Sequence, residues 1–396
     1  MLNRRGAAVA ALALLIAACG NTSTGGPAAQ RLTVFVDDKQ PSGQPINLAA
    51  LAYFPNELSA HPGDTIDFKV RWTGDPHTIT FGSLVDADLK AFVPPQPGAP
   101  PAAPTAESKK LPNLVPIPPL NPGPPDINQA AAQPCFLASG EPPAGTACTP
   151  DQQKQPDFDG TQTFYNGGFL PQDAVFTMKI ADGAKAGTFG FMCLLHREIM
   201  SGKLHIVDKS NTADGPIDVT KRGESQSSAL IQTLQVATTA AEKAGPDGVS
   251  AGVVDRTGKV IGSLAAQFGP KDISIPVGGS VTWHVAGPHT ITFGAATSDV
   301  GNVAKGSDGS FHLVGKAFGP AGGPGAPNAP PAGTSPLKPA LIDGGTWNGQ
   351  GLHSSGFILS VPDNAFFAYK LTFSTAGTYQ YLCLIHPDME GTVKVG

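Results

Sequence analysis

Two short stretches of the chain set a cysteine, a histidine and a methionine in close order, in matching surroundings. Gly187-Thr-Phe-Gly-Phe-Met-Cys193-Leu-Leu-His196 is followed by Met200, and Gly377-Thr-Tyr-Gln-Tyr-Leu-Cys383-Leu-Ile-His386 by Met389. Upstream of each lies one more histidine, inside an identical heptapeptide. These are Pro76-His77-Thr78-Ile79-Thr80-Phe81-Gly82 and Pro288-His289-Thr290-Ile291-Thr292-Phe293-Gly294. Each set therefore offers two imidazoles, one thiolate and one thioether. That mixture suits a copper ion that changes oxidation state. Soft sulfur donors favour Cu(I), imidazoles also accommodate Cu(II), and a fixed compromise geometry keeps reorganisation small.

Other chemistries fit these residues less well. Structural zinc sites generally draw on two or more cysteines, and each set has one. A nucleophilic Cys–His pair needs a third, orienting group, and no shared position supplies it. His61, His205, His284, His312 and His353 do not recur in register with the sets and are read as ordinary surface or core residues.

The elements that must position the donors follow from the repeat. Each heptapeptide comes after a Gly-containing turn and a strand-like run, Thr65 to Trp72 and Val281 to Val285. Apolar and polar residues alternate there, as in half-buried strands, and again over Phe176–Ile180 and Tyr369–Phe373. A duplicated domain is the economical explanation. The fold class expected is all-β, two tandem Greek-key β-sandwiches with antiparallel strands, Pro/Gly-rich insertions and a short helical connector. Domain 1 is assigned to residues 31–208 with an insertion at about 94–156, and domain 2 to 253–396 with an insertion at about 295–350. The connector, 209–252, carries Leu230, Leu234, Ala237 and Ala241 at helical spacing, which predicts a helix over about 225–244 packed on one domain. The prolines between Pro94 and Pro125 remove ladder donors, so an extended surface excursion is expected there.

On these motifs the chain resembles the plastocyanin/azurin superfamily of cupredoxins, over about residues 31–208 and 253–396 apart from the insertions. The pattern of Gly377, Tyr379, Tyr381, Cys383, His386, Met389 and Gly391 carries the resemblance most fully. The second His-x-x-Met loop is similar to that of amicyanin, whereas the first has three residues between His196 and Met200. Thr78 and Thr290 stand where plastocyanins usually have Asn. The resemblance implies one type 1 (blue) copper per domain, held by His77, Cys193, His196 and Met200 and by His289, Cys383, His386 and Met389. It implies electron transfer between redox partner proteins, with His196 and His386 as the ligands nearest the surface. The unequal loops predict two different reduction potentials.

Catalysis and copper carriage are the alternatives. Two-domain multicopper oxidases and nitrite reductases mark their extra copper site with a His beside the Cys and with His-x-His pairs. Here Met192 and Leu194 flank Cys193, Leu382 and Leu384 flank Cys383, and the chain has no His-x-His. Copper carriage, storage or sensing tends to use Met-rich or His-rich tracts, and this chain has 5 Met in 396 residues.

Composition and the first residues bear on location. The 48 Gly and 39 Pro suit loop-rich β-domains, and a net charge of −5 without a basic stripe argues against nucleic acid as a partner. Arg4 and Arg5 followed by the apolar run Ala7–Ala18 read as a signal peptide, residues 1–18, ending in a lipobox-like Ala17-Ala18-Cys19-Gly20. Cys19 is therefore the expected lipidation site, and residues 19–30 a flexible tether. The protein is expected outside the cytoplasm, lipid-anchored to a membrane and facing the periplasm or cell exterior. In that oxidising setting Cys135 and Cys148 are expected to close a short loop as a disulfide.

Overall fold

The computed structural model describes residues 28–38, 50–71, 76–93, 105–115, 126–133, 155–254, 264–315, 340–360 and 367–396. The leader, Cys19 and the tether up to residue 27, and Cys135 with Cys148, lie outside them.

Each repeat folds as two packed sheets. In domain 1 one sheet runs Tyr53–Phe54, Arg31–Val36, Thr65–Val70, Val175–Lys179. The other runs Glu57–Ala60, Arg197–Ile206, Gly187–Cys193, Thr80–Phe81, Tyr165–Asn166. Domain 2 repeats the plan. Its first sheet runs Leu264–Gly269, Val249–Val254, Ser280–Val285, Phe367–Phe373, Ala340–Trp347, and its second Asp272–Ile275, Glu390–Val395, Gly377–Leu382, Thr292–Phe293, His353–Ser354. The sandwiches are mixed rather than wholly antiparallel. Arg31–Val36 lies parallel to Thr65–Val70 and Glu57–Ala60 parallel to Arg197–Ile206, and the matching strands of domain 2 do the same. Hydrophobic alternation fixes which face a strand buries, but not the direction of its neighbour.

The two cores share their aromatic pattern. Phe68 meets Phe191 edge-on at 5.5 Å in domain 1, and Trp283 meets Tyr381 edge-on at 5.4 Å in domain 2. Phe81 and Phe293, from the two heptapeptides, complete each cluster. Phe191 and Tyr381 of these clusters lie on the strand that leads to each Cys.

The connecting helix is longer than its apolar spacing predicts and packs on both domains. It spans Pro216–Ala241, opening with Gly215 and with Pro216 in the first turn, where a missing N–H costs nothing. Its buried stripe is Val219, Gly223, Ser227, Leu230, Leu234 and Thr238. Leu230 and Leu234 join Ala50 and Phe54 of domain 1 and Val253 and Ala265 of domain 2 in one cluster. The stripe includes Gly, Ser and Thr, and so escapes a reading that counts only large apolar residues.

Most of residues 94–125, where an extended excursion is expected, lies outside the described residues, but residues 105–115 and 126–133 of the first insertion pack inward. Within the first, Leu111, Leu114, Ile127 and Ala131 are buried against Met192 and Leu194, forming a small core over the Cys193 loop. From the second, the hairpin of Asn302–Lys305 and Phe311–Val314 lies against the same cluster. Phe311 packs on Phe169 at 4.8 Å, while the Gln129 side chain donates to the Phe311 carbonyl at 2.7 Å and accepts from its N–H at 3.0 Å. Prolines exclude a ladder, but the leucines and isoleucine between them still favour burial.

Candidate metal centres

In domain 1 the upstream histidine lies just before the two-residue strand Thr80–Phe81, and in domain 2 it ends the short strand Gly287–His289, just before Thr292–Phe293. Each two-residue strand pairs with the one leading to the cysteine. Thr80 lies opposite Met192 and Phe81 opposite Phe191, and Thr292 and Phe293 face Leu382 and Tyr381. The pairing brings His77 and Cys193, 116 positions apart, and His289 and Cys383, 94 positions apart, to one end of each sandwich. His77, Cys193 and His196 then form one group, and His289, Cys383 and His386 another, with the donor atoms of each within 4.8 Å of one another. Cys193 Sγ is 3.9 Å from His77 Nδ1; Cys383 Sγ is 3.9 Å from His289 Nδ1 and 3.5 Å from His386 Nδ1. A tetrahedral ion about 2.3 Å from a thiolate and about 2.0 Å from an imidazole separates those donors by roughly 3.5 Å. The spacing fits one ion per group. Met200 and Met389 are buried in the same cores as Cys193 and Cys383.

The loops that carry the second histidine differ as their lengths require. In domain 2, Met389 comes just before the strand Glu390–Val395, and the Cys383 N–H donates to its carbonyl at 2.9 Å. In domain 1 the strand Arg197–Ile206 starts directly after His196, so Met200 already lies within it. Arg197 and Asp388 both take a left-handed backbone, φ 57° and 63°. Arg197 also clamps its loop, its guanidinium donating to Asp88 at 3.1 Å and to the Ser108 carbonyl at 3.0 Å. The expectation that both downstream histidines lie near the surface meets a difference: His196 is half-buried, but His386 is only 2% exposed.

The threonines that follow the upstream histidines brace both loops. Thr78 Oγ1 accepts from the Leu194 N–H at 2.8 Å, and Thr290 Oγ1 accepts from the Leu384 N–H at 2.7 Å. Each hydroxyl thereby ties the upstream histidine's loop to the residue after the cysteine. Thr80 and Thr292 continue these chains toward Asn166 and Ser354. The cysteine sulfurs accept amide hydrogens at 3.4 Å, from Leu195 in domain 1 and from Thr290 in domain 2.

Electrostatics prepares both cysteines as ligands. Burial pushes each thiol up, but the hydrogen bonds and charges of the two neighbouring imidazoles outweigh it and hold each well below the usual thiol range. The upstream histidines diverge. Burial lowers both, yet the Asp37 carboxylate at 2.9 Å from Nε2, together with the Cys193 sulfur, carries His77 up to about 9, while burial raises Asp37 itself to about 6. His289 Nε2 faces the Ala286 carbonyl at 2.9 Å instead, and its imidazole stays below the ordinary value because of burial. Asp37 is a site residue that sequence inspection misses, because it lies 40 positions from its partner with no motif around it.

The five remaining histidines sit elsewhere. His61 bonds the Asn211 carbonyl, His205 bonds Glu57, His284 the Asp247 carbonyl, His312 bonds Asp126, and His353 the Tyr369 hydroxyl. Among the described residues the two His/Cys/His groups are the only clusters of three such donors.

Two β-sandwiches, each with a His/Cys/His group at the end where the Cys-bearing strand emerges, make this chain cupredoxin-like in fold. The donor chemistry of both groups suits copper. No family model matches the chain, and no curated protein matches it. Solved structures similar to it include a reduced Cu(I) amicyanin variant, at 10% identity over 46% of this chain and 87% of that one, TM-score 0.20. They also include auracyanin from Roseiflexus castenholzii, at 15% identity over 46% and 99%, TM-score 0.22. A blue copper oxidase from Nitrosomonas europaea aligns at 11% identity over 93% and 86%, TM-score 0.19. The cupredoxin-like description rests on the sheets and donor groups rather than on these superpositions.

Proposed function

We propose that this protein is an extracytoplasmic electron carrier with one type 1 copper in each domain. His77, Cys193, His196 and Met200 would hold one ion, and His289, Cys383, His386 and Met389 the other. Bound there, copper would supply a one-electron Cu(I)/Cu(II) couple. The chain's own contribution is to keep all the donors but the half-buried His196 buried, with their loops fixed by the Thr78 and Thr290 hydrogen bonds. The observation that carries this reading is that both donor groups are built alike on duplicated sandwiches, with a low-lying thiol and a buried Met in each. Catalysis would call for a further copper site, and the residues flanking each Cys are Met or Leu.

Lipid attachment at Cys19 would hold the two domains at a membrane surface, within reach of redox partner proteins there. Copper analysis with visible and EPR spectra tests the central claim. Two coppers per chain with narrow type 1 hyperfine splitting are expected, one lost in Cys193→Ser and the other in Cys383→Ser. A third copper with a type 2 signal would shift the reading to an oxidase.

A further inference from the structure

We propose that Asp37 is a positioning residue that makes the domain 1 centre the lower-potential one of the pair, an inference that rests on the copper sites proposed above.

The comparison that carries it is internal to the chain. Val36 lies opposite Val70 in domain 1, and Ala251 lies opposite Val285 in domain 2. Val70 and Val285 are equivalent, because each follows its turn glycine, Gly63 or Gly278, by the same interval. The next residues, Asp37 and Gly252, therefore occupy one position of the duplicated fold. Both adopt the left-handed backbone, with φ 58° and 81°. Gly reaches that region freely, and Asp is among the few other residues that tolerate it.

This position sits directly over the upstream histidine. In domain 2 a Cβ on Gly252 would come within 2.5 Å of His289 Nε2 and would also strike the Ala286 carbonyl. With no side chain there, His289 Nε2 donates to the Ala286 carbonyl at 2.9 Å. In domain 1 the Asp37 side chain fills the place. Its Oδ2 accepts from His77 Nε2 at 2.9 Å, and its Oδ1 accepts from the Asp38 N–H at 2.6 Å. Both side chains are fully buried. One set thus has a carboxylate behind its first imidazole, and the other a neutral carbonyl.

That difference has a direction. In both domains Nδ1 faces the cysteine, so Nε2 carries the proton and is the outward-facing nitrogen. A carboxylate accepting that proton makes the imidazole a stronger donor and places negative charge in a dry interior, where it is poorly screened. Both effects favour Cu(II), the more positive ion, over Cu(I). Domain 1 is then the better reductant, and domain 2 the better oxidant.

The experiment uses the full chain with one centre removed. In Cys383→Ser only the domain 1 centre remains, and in Cys193→Ser only that of domain 2. The domain 1 potential is expected below the domain 2 potential. Asp37→Asn, added to Cys383→Ser, keeps an acceptor oxygen of the same shape and removes the charge. It should favour the reduced form at least tenfold, about 59 mV for one electron, with the blue absorption band retained. Copper affinity should fall roughly 10- to 100-fold. In the metal-free wild-type chain, the His77 Nε2 proton should give a far-downfield, slowly exchanging proton NMR resonance, as a buried hydrogen bond to a carboxylate requires, a reading that needs no variant to fold. A domain 1 potential above that of domain 2, or one unmoved by Asp37→Asn while copper stays bound, overturns the proposal and leaves the copper reading intact. Absence of copper from both domains overturns the two together.

Discussion

Replacing Thr290 by Val tests whether the threonine hydroxyls build the copper loops. The substitution keeps the branched shape and removes one oxygen. Thr290 Oγ1 is the acceptor for the Leu384 N–H at 2.7 Å, and both residues are essentially buried. The neighbouring Thr292 hydroxyl also donates to Thr290, but Ser354 lies 2.8 Å from it and offers another partner. The loss is therefore one buried amide without an acceptor, worth about 1–3 kcal/mol, or roughly 5- to 150-fold in the domain's folding equilibrium. Thr290→Ser retains the oxygen and gives up one methyl, about 0.8 kcal/mol. Tryptophan fluorescence during denaturation of the metal-free chain, in a Trp72→Phe background, suits the measurement, because the other two tryptophans, Trp283 and Trp347, both lie in the domain 2 core. Following one domain also avoids treating a two-domain chain as a single two-state unit. Hydrogen exchange at Leu384 should quicken in Thr290→Val and not in Thr290→Ser. A Val variant as stable as the parent, or a Ser variant weaker than the Val one, would refute the role assigned to the hydroxyl.

Gly223→Ala on the connecting helix should destabilise the chain by about 1–3 kcal/mol through overpacking, since a Cβ there meets the Phe54 carbonyl at 2.6 Å and Pro55 N at 2.9 Å. On an exposed helix face the same change would stabilise by about 1 kcal/mol, so the sign in a thermal melt decides whether the helix really seats on domain 1. Cys19→Ala should move the protein from the membrane fraction to the soluble fraction; equal partitioning of both forms would end the lipid-anchor proposal.

Much of the site could be read directly from the chain because it is encoded locally and twice. Cys-x-x-His with a nearby Met is short-range, and the repeated heptapeptide supplied the remote histidine without any knowledge of pairing. The alternation in Thr65–Val70 and Ser280–Val285 was enough for a half-buried strand, and so for a sandwich. Four features required the assembled structure. The parallel pairing of Arg31–Val36 depends on which neighbour a strand finds, and alternation carries no such information. The helix over Pro216–Ala241 buries Gly223, Ser227 and Thr238, because two domain surfaces approach it closely, and small residues fit where large apolar ones would not. The described part of the first insertion turns inward, because Leu111, Leu114 and Ile127 gain from burial over the Cys193 loop. Asp37 became part of a site only when the strand before it came to lie beside Thr65–Val70 and carried its carboxylate to His77. Residue types and their spacing determined which atoms could bind an ion; the partner behind each imidazole, a carboxylate in one domain and a carbonyl in the other, was decided by contacts between segments far apart in the chain.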